Sequence, residues 1–164
     1  MYHCTILLKV KLVPTRRTDY AIRSCLFLAH QNGESAKAAD IGAAMDIPKG
    51  FLHQVLQELQ RAGLVSSRSG PNGGYALARD PERITIRAIV EAMEGALAAQ
   101  ECALRGGPCH WADVCALHEV WSAAQQSLID VLSESTLAQV AADDRALADG
   151  TMAIPVNTHR SSPR

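Results

Sequence analysis

The hydrophobic pattern of the chain is helical through its first half. Tyr20, Ile22, Leu26 and Ala29 recur near one face of a segment that Thr18 or Asp19 can cap and that runs to about Gln31. Cys25 falls inside that apolar pattern and reads as a buried core thiol. An alanine-rich stretch at 36–45 follows, anchored by Ile41 and Met45 and broken at Asp46-Ile47-Pro48, because proline cannot continue a helix interior. Pro48 can open a new helix at Lys49. There Phe51, Leu52, Val55, Leu56 and Leu59 form a stripe of 3.6-residue period, with His53, Gln54, Gln57, Gln60 and Arg61 opposite. Ala62-Gly63 ends it with a left-handed cap.

Beyond this helix the period changes. Residues 64–68 and 75–78 read as short strands around Ser69-Gly70-Pro71-Asn72-Gly73-Gly74, a turn of Pro, Asn and Gly. Helix, short helix, tight break, helix and β-hairpin is the order of a winged helix-turn-helix. A further helix is expected over 86–94, started by Thr85 or Ile86 and ended by Gly95, then a loop over 96–110. The next helix is expected over 111–133. Its Val114, Leu117, Trp121, Ala124, Leu128 and Val131 make a heptad seam of the kind that joins two copies of a chain. A short helix at 137–142 and a loose tail from 149 complete the pattern.

The expected fold class is therefore mainly α with a small β-hairpin wing: a winged helix-turn-helix domain plus a long dimerisation helix. Its divisions are an extension over 1–15, the expected DNA-binding domain over 16–95, a loop over 96–115 (the expected cluster-binding loop once the cysteines below are considered), the dimerisation and final helices over 111–142, and the tail over 149–164.

Charge supports a polyanionic partner. Residues 1–88 carry twelve Lys/Arg against seven Asp/Glu, and residues 89–164 carry four against ten, so a basic half adjoins an acidic one. Within the basic half Lys49, His53 and Gln54 lie on the polar face of the second helix, and Arg68 and Asn72 lie in the wing, so these five are the expected DNA contacts. Gln54 has the donor–acceptor pair for adenine, and Arg68 suits a phosphate or the minor groove. No run of about 20 apolar residues is present. The apolar stretch at 5–13 contains Lys9 and Lys11 and lacks a small-residue cleavage site. The expectation is a cytoplasmic protein with no membrane contact, whose five cysteines are reduced or metal-bound.

Three of those cysteines cluster. Six residues separate Cys102 from Cys109, five separate Cys109 from Cys115, and His118 follows Cys115 at i+3. Thiolates in a Gly-Gly-Pro loop can fold around a metal, and the spacing is wider than that of common zinc knuckles. An iron–sulfur centre, zinc and redox-active thiols all remain open on spacing alone. A thiol oxidoreductase is disfavoured, because the chain has neither Cys-x-x-Cys nor a βαβ pattern.

Several segments together carry a resemblance: Arg17-Thr18-Asp19-Tyr20-Ala21-Ile22-Arg23, Phe51-Leu52-His53-Gln54-Val55-Leu56, Gly63-Leu64-Val65, Gly70-Pro71-Asn72-Gly73-Gly74-Tyr75 and Cys115-Ala116-Leu117-His118-Glu119-Val120-Trp121. Over about residues 16–142 the chain resembles the Rrf2 family of bacterial transcription factors. The resemblance implies a homodimer on double-stranded DNA with a pseudo-palindromic operator, its binding governed by an iron–sulfur cluster that responds to redox state, nitric oxide or iron–sulfur status. It implies Cys102, Cys109 and Cys115 as ligands. For the fourth it offers His118, as in the family's cluster-assembly regulators with a [2Fe-2S] centre, or Asp19, as in its nitric oxide sensors with a [4Fe-4S] centre. His118 and [2Fe-2S] are favoured, because a ligand one turn from Cys115 needs no inter-subunit geometry. The alternative is a zinc-stabilised or thiol-based regulator without a cluster. The chain departs from the family in its first 14 residues, in one extra residue between the first two cysteines, in Ser69 where a wing arginine is expected, and in His53 where a glutamate can stand.

Overall fold

A computed structural model describes residues 14–70, 73–97 and 115–153. In chain order the elements are α1 (Arg16–His30), α2 (Ala38–Met45), α3 (Lys49–Arg61), β1 (Val65–Arg68), β2 (Gly74–Leu77), a 3-10 turn at Pro81–Arg83, α4 (Ile86–Glu94), α5 (His118–Glu134) and α6 (Leu137–Ala148). Leu28, Ile41, Leu52, Leu56, Leu59, Ile84, Ile89 and Leu137 supply the large, fully buried side chains of one core. They come from α1, α2, α3, α4, α6 and the strand-like link before α4, so burial of these apolar surfaces joins those five helices into a single head, against which Leu132 of α5 also packs.

The local signals account for most boundaries. Thr85 caps α4 by accepting from the Ala88 amide at 3.1 Å, and Gly95 stops it at φ 88. α1 differs from expectation. Its cap is Thr15, not Thr18 or Asp19, and Thr18 is a fully buried residue of the first turn. Thr18 can be buried because its hydroxyl donates to Glu94 at the end of α4.

The C-terminal part also differs. α6 runs to Ala148, six residues past the expected end, and Thr136 and Gln139 form a reciprocal capping box at its start. The segment expected to be loose from 149 folds back at its start: the Met152 amide and the Thr151 hydroxyl both donate to the Ala146 carbonyl, at 2.9 and 3.1 Å. Residues 154–164 lie outside the described residues, as does the extension at 1–13. α6 packs against α1 with Leu137 and Ala141 in the core, and His30 meets Asp144 at 2.9 Å. Paired backbone bonds, from the Ile86 amide to Ser135 and from the Leu137 amide to Ile84, tie the α5–α6 corner to the start of α4.

A candidate nucleic-acid interface and metal-binding segment

The turn between α2 and α3 sets the reading helix. Asp46 takes a left-handed conformation at φ 52, the Ile47 amide returns to the Gly42 carbonyl at 3.0 Å, and Ile47 is buried. Pro48 then starts α3, its carbonyl accepting from Phe51 and Leu52. Gly42 packs closely here: a Cβ at that position would stand 3.2 Å from the Ile47 carbonyl and 3.3 Å from Leu52 Cδ2, so a side chain would require its neighbours to give by a few tenths of an ångström.

α3 buries Leu52, Val55, Leu56 and Leu59, each no more than 1% exposed, and turns Lys49, Gly50, His53, Gln54, Gln57, Gln60 and Arg61 outward. Its two edges are fixed. Arg17 of α1 pairs with Glu58, and the ring of Tyr20 lies 6.0 Å from that of Phe51 at 54°. On the other edge Gln60 donates to Ser67 of β1 at 3.1 Å. Phe51 corrects the sequence reading: it stands at the margin of the apolar stripe and is 50% exposed.

The wing projects beside this face. β1 and β2 are antiparallel in the register Val65↔Leu77 to Arg68↔Gly74, and Ala36 bridges Tyr75 through two backbone bonds of 2.9 and 2.8 Å. That bridge leaves no room at Gly74, where a Cβ would approach the Ala36 carbonyl oxygen to 2.4 Å. Arg68 and Ser69 are exposed at the end of β1. Asn72 lies outside the described residues. Lys49, His53 and Gln54 on α3 and Arg68 at the end of β1 are each exposed.

The expected metal segment is described only at its end. Cys102 and Cys109 lie outside the described residues, as does the helix start expected at 111. Cys115 is half-buried and precedes the helix; α5 begins at His118, its first residue. The earlier start does not extend into 115–117, where the chain makes a turn and Leu117 provides no side-chain cap. The His118 amide donates to the Cys115 carbonyl at 3.0 Å, so the two expected ligands sit within one turn. The other proposed fourth ligand, Asp19, lies in the first turn of α1, and its carboxylate accepts from Arg23 at 3.0 Å. Among the described residues no three acidic, cysteine or histidine side chains gather as a metal site. Cys25 behaves oppositely to a ligand: it is fully buried, and burial raises its thiol pKa from 9.0 to about 12, so it stays protonated and inert.

The sequence reading missed two carboxylates in the last turns of α4. Glu94 accepts from the Thr15 amide at 3.2 Å and from the hydroxyls of Thr15 and Thr18, which fastens the start of α1. Glu91 accepts from the Leu97 amide at 3.0 Å and from Arg87 at 2.9 Å, while Arg87 also reaches Ser133 of α5 at 3.4 Å. The chain leaving for Cys102 is thereby held to α4, and α4 to both α1 and α5. Spacing shows the threonines as possible caps, but nothing in spacing pairs them with a carboxylate some 76 to 79 residues away.

α5 is apolar in two directions. Leu132 packs on the core of the head and Ile129 is buried, as is Gln125, whose amide nitrogen lacks a partner among the described residues. Leu117, Val120 and Val131 are 50%, 66% and 60% exposed, and Ala124 is exposed between them. No helix among the described residues is long and apolar enough to cross a membrane.

A helix-turn-helix with an exposed reading helix and a flanking two-stranded wing defines the class: a winged-helix DNA-binding fold. The profile of the Rrf2 family, described as iron-dependent transcriptional regulators, matches residues 14–143. The HTH-type transcriptional regulator IscR of Vibrio parahaemolyticus serotype O3:K6 is 31% identical over 134 residues, 81% of this chain and 79% of its own length. The solved structure of CymR, the global cysteine regulator of B. subtilis, is similar with a TM-score of 0.69 at 26% identity, over 81% of this chain and 98% of its own. IscR of T. potens gives a TM-score of 0.67 at 27% identity, over 88% of this chain and 94% of its own. The chain belongs to the Rrf2 family; it is a transcriptional regulator of that type, and its relatives are regulators, not enzymes.

Proposed function

We propose that this Rrf2 regulator acts in the cytoplasm as a homodimer on a pseudo-palindromic operator, and that Cys102, Cys109, Cys115 and His118 hold an iron–sulfur cluster that sets its affinity for DNA. The single observation that carries the reading is the Cys115–His118 turn at the head of α5, on a helix whose outer apolar face is uncovered. A set of three thiolates and one imidazole fits a [2Fe-2S] centre, with [4Fe-4S] the outcome if Asp19 replaces His118. When bound, such a centre supplies a redox- and nitric-oxide-sensitive crosslink between the loop and α5.

The chain's own residues make the connection. The segment entering the loop is anchored by Glu91, and Glu94 one turn later anchors α1, which flanks the reading helix through Arg17 and Tyr20. Ordering the loop and holding α4 in place therefore bias the same head that reads DNA, a linkage between two sites. Reading would fall to Lys49, His53 and Gln54 in the major groove, with Arg68 and Asn72 in the wing.

A second reading is supported by the likeness to CymR, named as a cysteine regulator: the same cysteines would respond as thiols, or bind zinc, without a cluster. Anaerobic purification separates the two. Brown or red protein with stoichiometric iron and sulfide, lost in Cys102→Ser, Cys109→Ser and Cys115→Ser but retained in Cys25→Ser, supports the cluster. Colourless protein with zinc or free thiols supports the alternative. Cluster loss in His118→Ala with retention in Asp19→Ala supports the [2Fe-2S] assignment, and the reverse supports Asp19.

A further inference from the structure

The first turn of α3 has two features that the fold does not require. Phe51 exposes half of its ring, although the other apolar side chains of the helix are buried, and it does not join the core. Gly50, beside it, has an ordinary backbone conformation and open space where a Cβ would stand, so neither strain nor packing calls for a glycine there. Glycine weakens a helix, and leaving an aromatic ring in water forgoes its burial. A bare patch next to an exposed aromatic suits close approach of another surface.

The ring is also positioned. Tyr20 packs on the core and its ring contacts Phe51 at 6.0 Å. The Arg17–Glu58 ion pair fixes α1 to α3 two turns further along the same edge. If α3 enters the major groove, a ring held this way in its first turn would lie near the base edges, where the one apolar mark is the C5-methyl group of thymine.

We propose that Phe51, positioned by Tyr20, is a further specificity-determining residue that reads a thymine methyl group in each half-site. The proposal rests on the DNA-reading role given to α3 above. Gln54 reads hydrogen-bonding edges; Phe51 reads an apolar one, admitted by the missing side chain at Gly50.

The test uses a duplex selected by the full-length protein from a random library, with each thymine then replaced singly by deoxyuridine, which removes only the methyl group. Wild-type protein should lose about fourfold in affinity at one thymine per half-site, the equivalent of one buried methyl group. Phe51→Ala should bind the parent duplex more weakly and be indifferent to uridine at that position, with thermal unfolding unchanged. Phe51→Leu should keep part of the discrimination, and Tyr20→Phe should keep all of it. The proposal is overturned if wild type is insensitive at every thymine, or if Phe51→Ala keeps the full uridine penalty. Selection of no preferred duplex would remove the reading role of α3 itself and this proposal with it, a result distinct from sequence-specific binding without methyl sensitivity.

Discussion

Helices α3 and α5 both carry an apolar stripe, and the protein treats the two stripes differently. Leu52, Val55, Leu56 and Leu59 of α3 vanish into the head, each at most 1% exposed. On α5 only Gln125 and Ile129 are buried, while Leu117, Val120 and Val131 are half or more in water. The first stripe is completed within one chain, and its opposite face is free to read DNA. The second stripe is left open by one chain, as expected of a helix that a second copy covers. If a second copy covers α5, as proposed, folding energy and assembly energy reside in separate helices, and mutations should separate them.

The largest effect should fall on the closed stripe. Leu56→Ala removes a fully buried side chain and should destabilise the head by about 2–5 kcal/mol in chemical denaturation, whereas Val131→Ala, measured on protein diluted to monomer where that position is exposed, should change unfolding by no more than about 0.5 kcal/mol. Comparable losses from both would mean that α5 is as integral to the head as α3.

The open stripe should show its role in assembly. Val120→Glu with Val131→Glu should leave helix content intact but yield monomers in sedimentation. DNA affinity should then fall by roughly 100-fold or more, since two heads no longer bind as one unit. A dimer that survives both charges would place the interface elsewhere.

The connection between the two regions should be smaller but measurable. Glu94→Ala removes an acceptor of charge-assisted bonds from Thr15 and Thr18, and should lower stability by about 1.5–3 kcal/mol. It should also reduce the difference in DNA affinity between metal-loaded and metal-free protein, whereas a solely structural Glu94 would leave that difference unchanged.

At the reading face the effects should be smallest in stability and specific in kind. Gln54→Ala should cost about 1–3 kcal/mol on the preferred operator and relax preference at one base position, with unchanged thermal unfolding. Arg68→Ala should weaken all sequences alike and reduce the salt slope by about one. Equal binding of wild type and Gln54→Ala across an operator library would remove the assignment.

The contrast between α3 and α5 was largely legible in the chain. Leu52 to Leu59 announce their period, Pro48 and Gly63 punctuate it, and α4 falls where Thr85 and Gly95 place it, because these signals are local. Three things were not legible. Phe51 belongs to the stripe by period, yet its exposure depends on where α1 lies. Thr15 displaced Thr18 as the cap because Glu94, distant in sequence, draws the Thr18 hydroxyl inward. The turn at 115–117 interrupts the helix expected through Leu117, since an apolar rhythm marks a face whether or not the backbone beneath it is helical. Of the site itself, Cys115 and His118 stand together as their spacing requires, whereas Glu91 and Glu94 carry no motif.

The central claim is that the cysteine segment controls DNA binding through a cluster. Its most direct measurement is the affinity of one anaerobic preparation for its selected duplex, before and after chelation removes iron, with Cys109→Ser measured alongside. The account predicts a change of tenfold or more on iron removal in wild type, and a Cys109→Ser protein that already binds as the stripped form does. Iron-containing protein whose affinity is unchanged by stripping, or a Cys109→Ser variant that still responds to it, would contradict the account.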